Sequence, residues 1–299
     1  GVVYGCAFLN KDGVIYPEHI RIDNVHELHK LQGSKYVQSI IRDTYKKVKS
    51  DLKNGKMTVF SGTPCQVAAL KGYLGKTDQS NLFTIDIICH GTPGASFFQA
   101  YIKEVEKKIK GTVIDFRFRD KTGGWGLKGA IIYLDRNKKT KKKLMPVQLS
   151  SYYSLFLNSE IYRENCYSCK YAREYRPGDI TIGDYWGFEE EHPELLIENG
   201  GGFDRTAGIS CILVNTDKGM EWLEKLKPEI EFAPSSFEKV AKRNSQLKVP
   251  SIHTELREKV LNLYSVNGYA SVDSWYYKRI GIKKYIYEMW NLFPRKLQV

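Results

Sequence analysis

A chain of 299 residues with 46 lysines and arginines against 34 aspartates and glutamates, net charge +12, is long enough to bury a full core in one large or two ordinary domains. Its 42% hydrophobic and 27% charged residues exclude whole-chain disorder. No apolar run approaches the roughly 20 residues that span a bilayer, and the opening GVVYGCAFLNKDG lacks the basic-then-apolar order of a signal peptide. A cytoplasmic protein without a membrane span is expected, in whose reducing surroundings six cysteines point to metal or redox chemistry rather than disulfides. Gly1 in place of an initiator methionine predicts a piece of a longer chain. Much of the positive charge is local, at 107–110, 137–143 and in the last fifty residues. With no nucleic-acid module beside it, that charge reads as a solvated face or a partner dock, and no nucleic-acid partner is expected.

Residues 2–9 and 13–17 read as paired strands around a Lys-Asp-Gly turn. Val25, Leu28 and Leu31 fall at helical spacing, and Val37, Ile40, Ile41, Tyr45 and Val48 repeat it, which puts Lys35 and Tyr36 at a junction between two helices. A short strand over 57–61 then runs into GTPCQ and a helix, with Pro64 suited to the first turn and Cys65 at the helix start, where aligned amides favour a thiolate. The pattern repeats. An apolar strand over 82–88 runs into CHGTPG and a helix over 96–109, so Cys65 and Cys89 are expected at the same carboxyl edge of a parallel sheet, where open α/β sheets place ligands.

Residues 112–119 alternate like a half-exposed strand, and DKTGGWG is a turn carrying one indole. A hairpin over 129–135 and 142–147 follows, then a short helix over 152–157. The next stretch, ENCYSCKYAREYRPGDITIGDYWGFEE, places Cys166 and Cys169 two residues apart, a spacing that suits a soft cation. A strand over 180–182 follows the pair. Cys6 and Cys211 fall inside apolar strands (211 within 209–215) and read as core residues. From Thr216 the pattern is helical: 220–226, 237–243, and a tail over 253–291 whose Trp275, Tyr276, Ile280, Ile282, Tyr285, Ile286, Met289 and Trp290 form an apolar face for the sheet or a partner. The expected class is α/β, a mixed and partly parallel sheet with helices on its faces and a helical C-terminal tail, divided as a core over 1–255 and an extension over 256–299.

Four thiolates from three loops could close one site, and four sulfurs leave a tetrahedral zinc or a four-iron cluster open. His90 beside Cys89 is a substitute ligand or, better, a hydrogen-bond donor behind the ligands. No serine-histidine-acid triad, P-loop or GxGxxG is present.

The segments KYVQS, VFSGTPCQVAALKGYL, IICHGTP, CYSCKY and DITIGDYWG resemble, in that order, the beta subunit family of coenzyme F420 hydrogenase and dehydrogenase, over about residues 2–260. The resemblance implies an α/β flavoprotein oxidoreductase that binds FAD and a [4Fe-4S] cluster, with Cys65, Cys89, Cys166 and Cys169 as cluster ligands. It also implies a ferredoxin-like electron donor or acceptor, as a separate protein or as an amino-terminal module absent from this sequence, and a small-molecule or deazaflavin-like redox partner. The loops at Lys35 and Tyr36, at Ser61, Gly62, Thr63 and Gln66, at His90 and Gly91, and at Asp184 and Trp186 would line the cofactor pocket, with Lys35 as a polar contact to the flavin or its phosphates. No residue is singled out as catalytic. A zinc- or cluster-stabilised interaction protein without turnover is the alternative.

Overall fold

The computed structural model describes residues 1–122 and 124–290. β1 (Val2–Lys11) and β2 (Val14–Ile22) form the expected antiparallel hairpin, with Asp12 and Gly13 at positive φ in its tip. β3 (Thr58–Gly62) and β4 (Leu82–Ile87) follow. β5 (Thr112–Arg117), β6 (Gly129–Leu134) and β7 (Thr140–Met145) form a separate antiparallel sheet. β8 (Ile180–Asp184) and β9 (Ser210–Val214) return to the first sheet, whose order is β2-β1-β3-β4-β8-β9. Its four middle strands are parallel and its two edges antiparallel, so the class is the mixed α/β one expected.

The helices are α1 (Thr44–Lys53), α2 (Pro64–Leu74), α3 (Ala95–Ile109), α4 (Ser151–Leu157), α5 (Phe188–Glu191), α6 (Asp217–Leu226) and α7 (Phe237–Arg243), then α8 (Glu255–Asn267), α9 (Tyr269–Ile280) and α10 (Lys283–Trp290). Val48 and Leu52 of α1 and Val67, Leu70 and Leu74 of α2 are buried with Val2, Tyr4, Phe60 and Leu82 of the large sheet. A second, aromatic core joins α3, the small sheet, α4, α8 and α9 through Phe98, Tyr101, Phe116, Phe118, Tyr152, Val260 and Tyr269. A third cluster holds Tyr185, Phe188, Cys211 and Leu247 beyond the end of β8. No helix among the described residues is long and apolar enough to cross a membrane.

Two local expectations change. Helical spacing over 37–48 yields a helix only from Thr44, because the free edge of β2 captures the segment before it: Ile40 accepts from the His19 amide at 3.0 Å and donates to the Pro17 carbonyl at 3.0 Å. Lys35 and Tyr36 therefore sit between a 3-10 turn (Val25–Leu31) and extended chain, not between two helices. Strand alternation over 112–119 is broken by a register shift between Val113 and Asp115, which turns Val113 into the core. The C-terminal tail is helical but divided at Gly268 and Gly281, both at positive φ. Gly123 and residues 291–299, the last part of the expected extension, lie outside the described residues, as does the Trp290 side chain.

Candidate functional site at the carboxyl edge of the sheet

The edge is built on one buried ion pair. Asp86 of β4 and Arg176 are both removed from water, with Arg176 Nη2 2.8 Å from Asp86 Oδ1. The same carboxylate accepts from the Gly178 amide at 2.8 Å and the Thr181 hydroxyl at 2.9 Å. Arg176 also donates to the carbonyls of Tyr171 and Ile87. A buried charge survives only when its hydrogen-bonding capacity is filled, and here filling it fastens the Cys166–Cys169 loop and β8 to β4. A Cβ on Gly178 would meet the Asp86 amide at 2.7 Å, so the close approach requires glycine.

On one half of the edge lie the thiols. Cys65 is exposed on the first turn of α2, its Sγ 3.1 Å from Thr63 Oγ1. Burial pushes the Cys89 thiol up to about 12, and repulsion from Cys166, Cys65 and Cys169 adds to the shift, which marks the four as neighbours. Cys166 packs against the aromatic core and is likewise raised, first by burial. Its loop is held by Arg257, which donates to the Tyr162 carbonyl and lies over the Tyr167 ring.

Neighbours are not ligands. Among the described residues no group of three or more His, Cys, Asp or Glu side chains is arranged to hold a metal ion. Zinc or a cluster needs several sulfurs at bonding distance and fixed angle around one centre, and the four thiols here do not form such a group. This overturns the [4Fe-4S] expectation with Cys65, Cys89, Cys166 and Cys169 as ligands, and the zinc alternative with it. The iron-sulfur flavoprotein oxidoreductase falls too, because the FAD it was to hold loses the cluster it was to exchange electrons with. All six cysteines are free thiols.

Behind Cys65 runs a closed polar network. Gln66 Oε1 accepts from the Thr63 amide at 3.0 Å, capping α2, while its Nε2 donates to Ser39 Oγ at 2.8 Å. Ser39 Oγ bonds His19 Nδ1 at 2.8 Å, and His19 Nε2 lies 3.0 Å from the Ser61 carbonyl. Burial lowers the His19 pKa to about 4, so the ring is neutral and donates to Ser61. Thr63 and Gln66 thus bond to each other, Gln66 to Ser39 and the Ser61 carbonyl to His19, with Gly62 packed against Gln66. Lys35 donates to the carbonyls of Leu31, Gln32 and Gly33, and burial lowers its pKa. His90 meets Gln246, with Nδ1 2.5 Å from Gln246 Nε2, and its carbonyl accepts from Ser251. Gly91 has φ +143 and is pressed against the Tyr162 ring, where a Cβ would fall at 2.3 Å.

The other half is interlocked. Arg119, just past β5, donates from Nη1 to Asp184 Oδ2 at 2.6 Å and from Nε to the Gly126 carbonyl at 2.7 Å. Its guanidinium lies 5.2 Å from the Trp125 ring and 5.8 Å from the Trp186 ring, and the two indoles are 4.7 Å apart. Tyr36 stacks on Phe156 at 4.4 Å; burial works to lower the Arg119 pKa, but the neighbouring Tyr36 and Asp184 outweigh it and raise it. Tyr153 is fully buried; burial raises the pKa of its hydroxyl, and Tyr36, Arg119 and Asp184 are close enough to bear on it. Of the residues expected in a pocket, Tyr36, Asp184 and Trp186 meet here. Sequence reasoning misses Arg119, Trp125 and Tyr153: they come from a strand end, a turn and a helix with no shared motif, and the lone indole of the turn is the one signal.

The family model for the C terminus of the "Coenzyme F420 hydrogenase/dehydrogenase" beta subunit matches residues 55–239, more than half of the chain. The chain belongs to this family. The matched span contains β3 to β9, and so the carboxyl edge from Ser61 to Trp186. No curated protein matches. Among solved structures, a chain of the F420-reducing [NiFe] hydrogenase complex from Methanosarcina barkeri aligns with 14% identity over 88% of this chain and 80% of that one, with a TM-score of 0.46, a likeness too loose to transfer anything from that protein.

Proposed function

We propose that this chain is a coenzyme-docking subunit of a cytoplasmic redox assembly, and that the Arg119, Trp125, Trp186 cluster takes a deazaflavin-class coenzyme which a ferredoxin-like protein, separate or part of a longer version of the chain, serves as redox partner. The observation that carries the proposal is the pair of half-exposed indoles, Trp125 and Trp186, gathered on the Arg119 guanidinium at 5.2 and 5.8 Å. Two indoles offer a planar ring faces to stack on, and Arg119 offers charge to an anionic tail. Family membership supports the class of ligand; the basic balance of the chain supports an acidic partner protein.

The test is a fluorescence titration of the protein with coenzyme F420. Saturable binding is expected, weakened at least tenfold by Arg119→Ala and left as in the parent by Cys169→Ser in the thiol half. Absence of saturable binding to the parent protein, with the fold intact by circular dichroism, overturns the proposal.

A further inference from the structure

α10 is turned the wrong way round for a surface helix. Ile282, in the turn that leads into the helix, and the apolar residues at 285, 286 and 289 follow one helical stripe, yet this stripe points away from the protein: Ile282 is 76% exposed, Tyr285 64%, Ile286 48% and Met289 59%. The side that meets the rest of the molecule is the more polar one, carrying Lys284 and Tyr287, both half-buried, with Lys284 Nζ 5.0 Å from the Tyr277 ring centroid of α9. Single exposed apolar residues are ordinary, whereas a contiguous stripe marks a surface that something covers.

The charge around the stripe identifies what covers it. Lys278, Arg279 and Lys283 are exposed beside it and have no ion-pair partner among the described residues, Arg279 resting instead over the Trp275 ring at 5.5 Å. Glu288, the one acid of α10, is paired with Lys284. The sequence after Trp290, NLFPRKLQV, adds two cations and no acid. An apolar stripe with an aromatic ring, flanked by unpaired cations, is the pattern of a helix lying in the headgroup layer of an anionic bilayer, where apolar side chains enter the acyl boundary and cations meet lipid phosphate. This chain's excess of base disfavours a second copy of itself, and an acidic protein surface would match the cations but not the apolar stripe, whereas an anionic bilayer matches both.

We infer that α10 is a peripheral membrane-docking helix that seats the protein on anionic lipid. This rests on α10 alone and is independent of the coenzyme reading. The full chain is to be sedimented with phosphatidylcholine vesicles and with vesicles in which roughly one-third of the lipid is phosphatidylglycerol. Binding to the anionic vesicles only is expected, falling as salt rises. The double variant Ile282→Asp, Ile286→Asp should bind at least tenfold more weakly while keeping the parent's melting temperature, since both side chains are solvent-facing. Lys278→Gln with Lys283→Gln, which leaves the apolar stripe whole, should weaken binding and flatten its salt dependence. No binding of the parent to either vesicle overturns the inference, as does a parent dimer, seen by light scattering, that the Ile282→Asp, Ile286→Asp variant abolishes.

Discussion

The thiol half and the aromatic half of the sheet edge are built from equally distant parts of the chain, yet only one is a constellation. Cys65, Cys89, Cys166 and Cys169 are neighbours without a common centre: Cys65 meets Thr63, burial raises Cys89, and Cys166 packs on the aromatic core. Arg119, Asp184, Trp125 and Trp186 instead hold one another directly, through a 2.6 Å ion pair and two cation-aromatic contacts. Proximity brings groups together, but mutual bonding fixes their directions, and direction is what a ligand reads. The first half carries reactive atoms without a common centre; the second has a common centre in the Arg119 guanidinium.

The contrast breaks most severely if the floor under both halves is removed. Asp86→Ala leaves Arg176 charged and buried without its partner, for a loss of about 3 to 5 kcal/mol, measured by urea unfolding. A loss under about 1 kcal/mol would mean that the two halves are seated independently of this pair. Next in size is a pH effect beneath the thiol half. His19 takes up a proton near 4 in the fold but near 6.5 when unfolded, so the unfolded state binds more protons between those values. Stability is then complete above pH 6.5 and declines through that window, by up to about 3 kcal/mol at pH 4. His19→Asn should flatten the slope of urea midpoint against pH, and an unchanged slope would assign the acid sensitivity to other groups.

The aromatic half gives a smaller but sharper test. Trp186→Ala should weaken coenzyme F420 by several fold through lost stacking, and Tyr153→Phe by less than Arg119→Ala, because it removes a buried hydroxyl and no charge. Equal losses from Cys169→Ser would erase the distinction between the halves. The smallest effect is on reaction rates alone. Exposed Cys65 should be alkylated first at pH 8, with Cys89 and Cys211, both pushed up to about 12 by burial, modified orders of magnitude more slowly. Labelling of Cys89 as fast as Cys65 would show the thiol half to be open.

Much of this protein is determined locally and was legible in the sequence. The turn at Asp12 and Gly13, the strand-loop-helix units that lead from β3 into α2 and from β4 into α3, and α7 over Phe237–Arg243 follow from periodicity, capping and left-handed glycine positions. These are nearest-neighbour effects, so the order of residues specifies them. The arrival of Cys65 and Cys89 at one sheet edge follows as well, because parallel strands joined by helices leave their carboxyl ends on the same side. What only the tertiary structure decided is direction and capture. Residues 37–43 carry helical spacing but are taken up by the edge of β2. The expected ligand cysteines are gathered without being aimed at one point, and α10 faces its apolar stripe outward. Each depends on contacts between residues far apart in the chain, and side-chain spacing along a sequence carries no record of where a distant partner will stand.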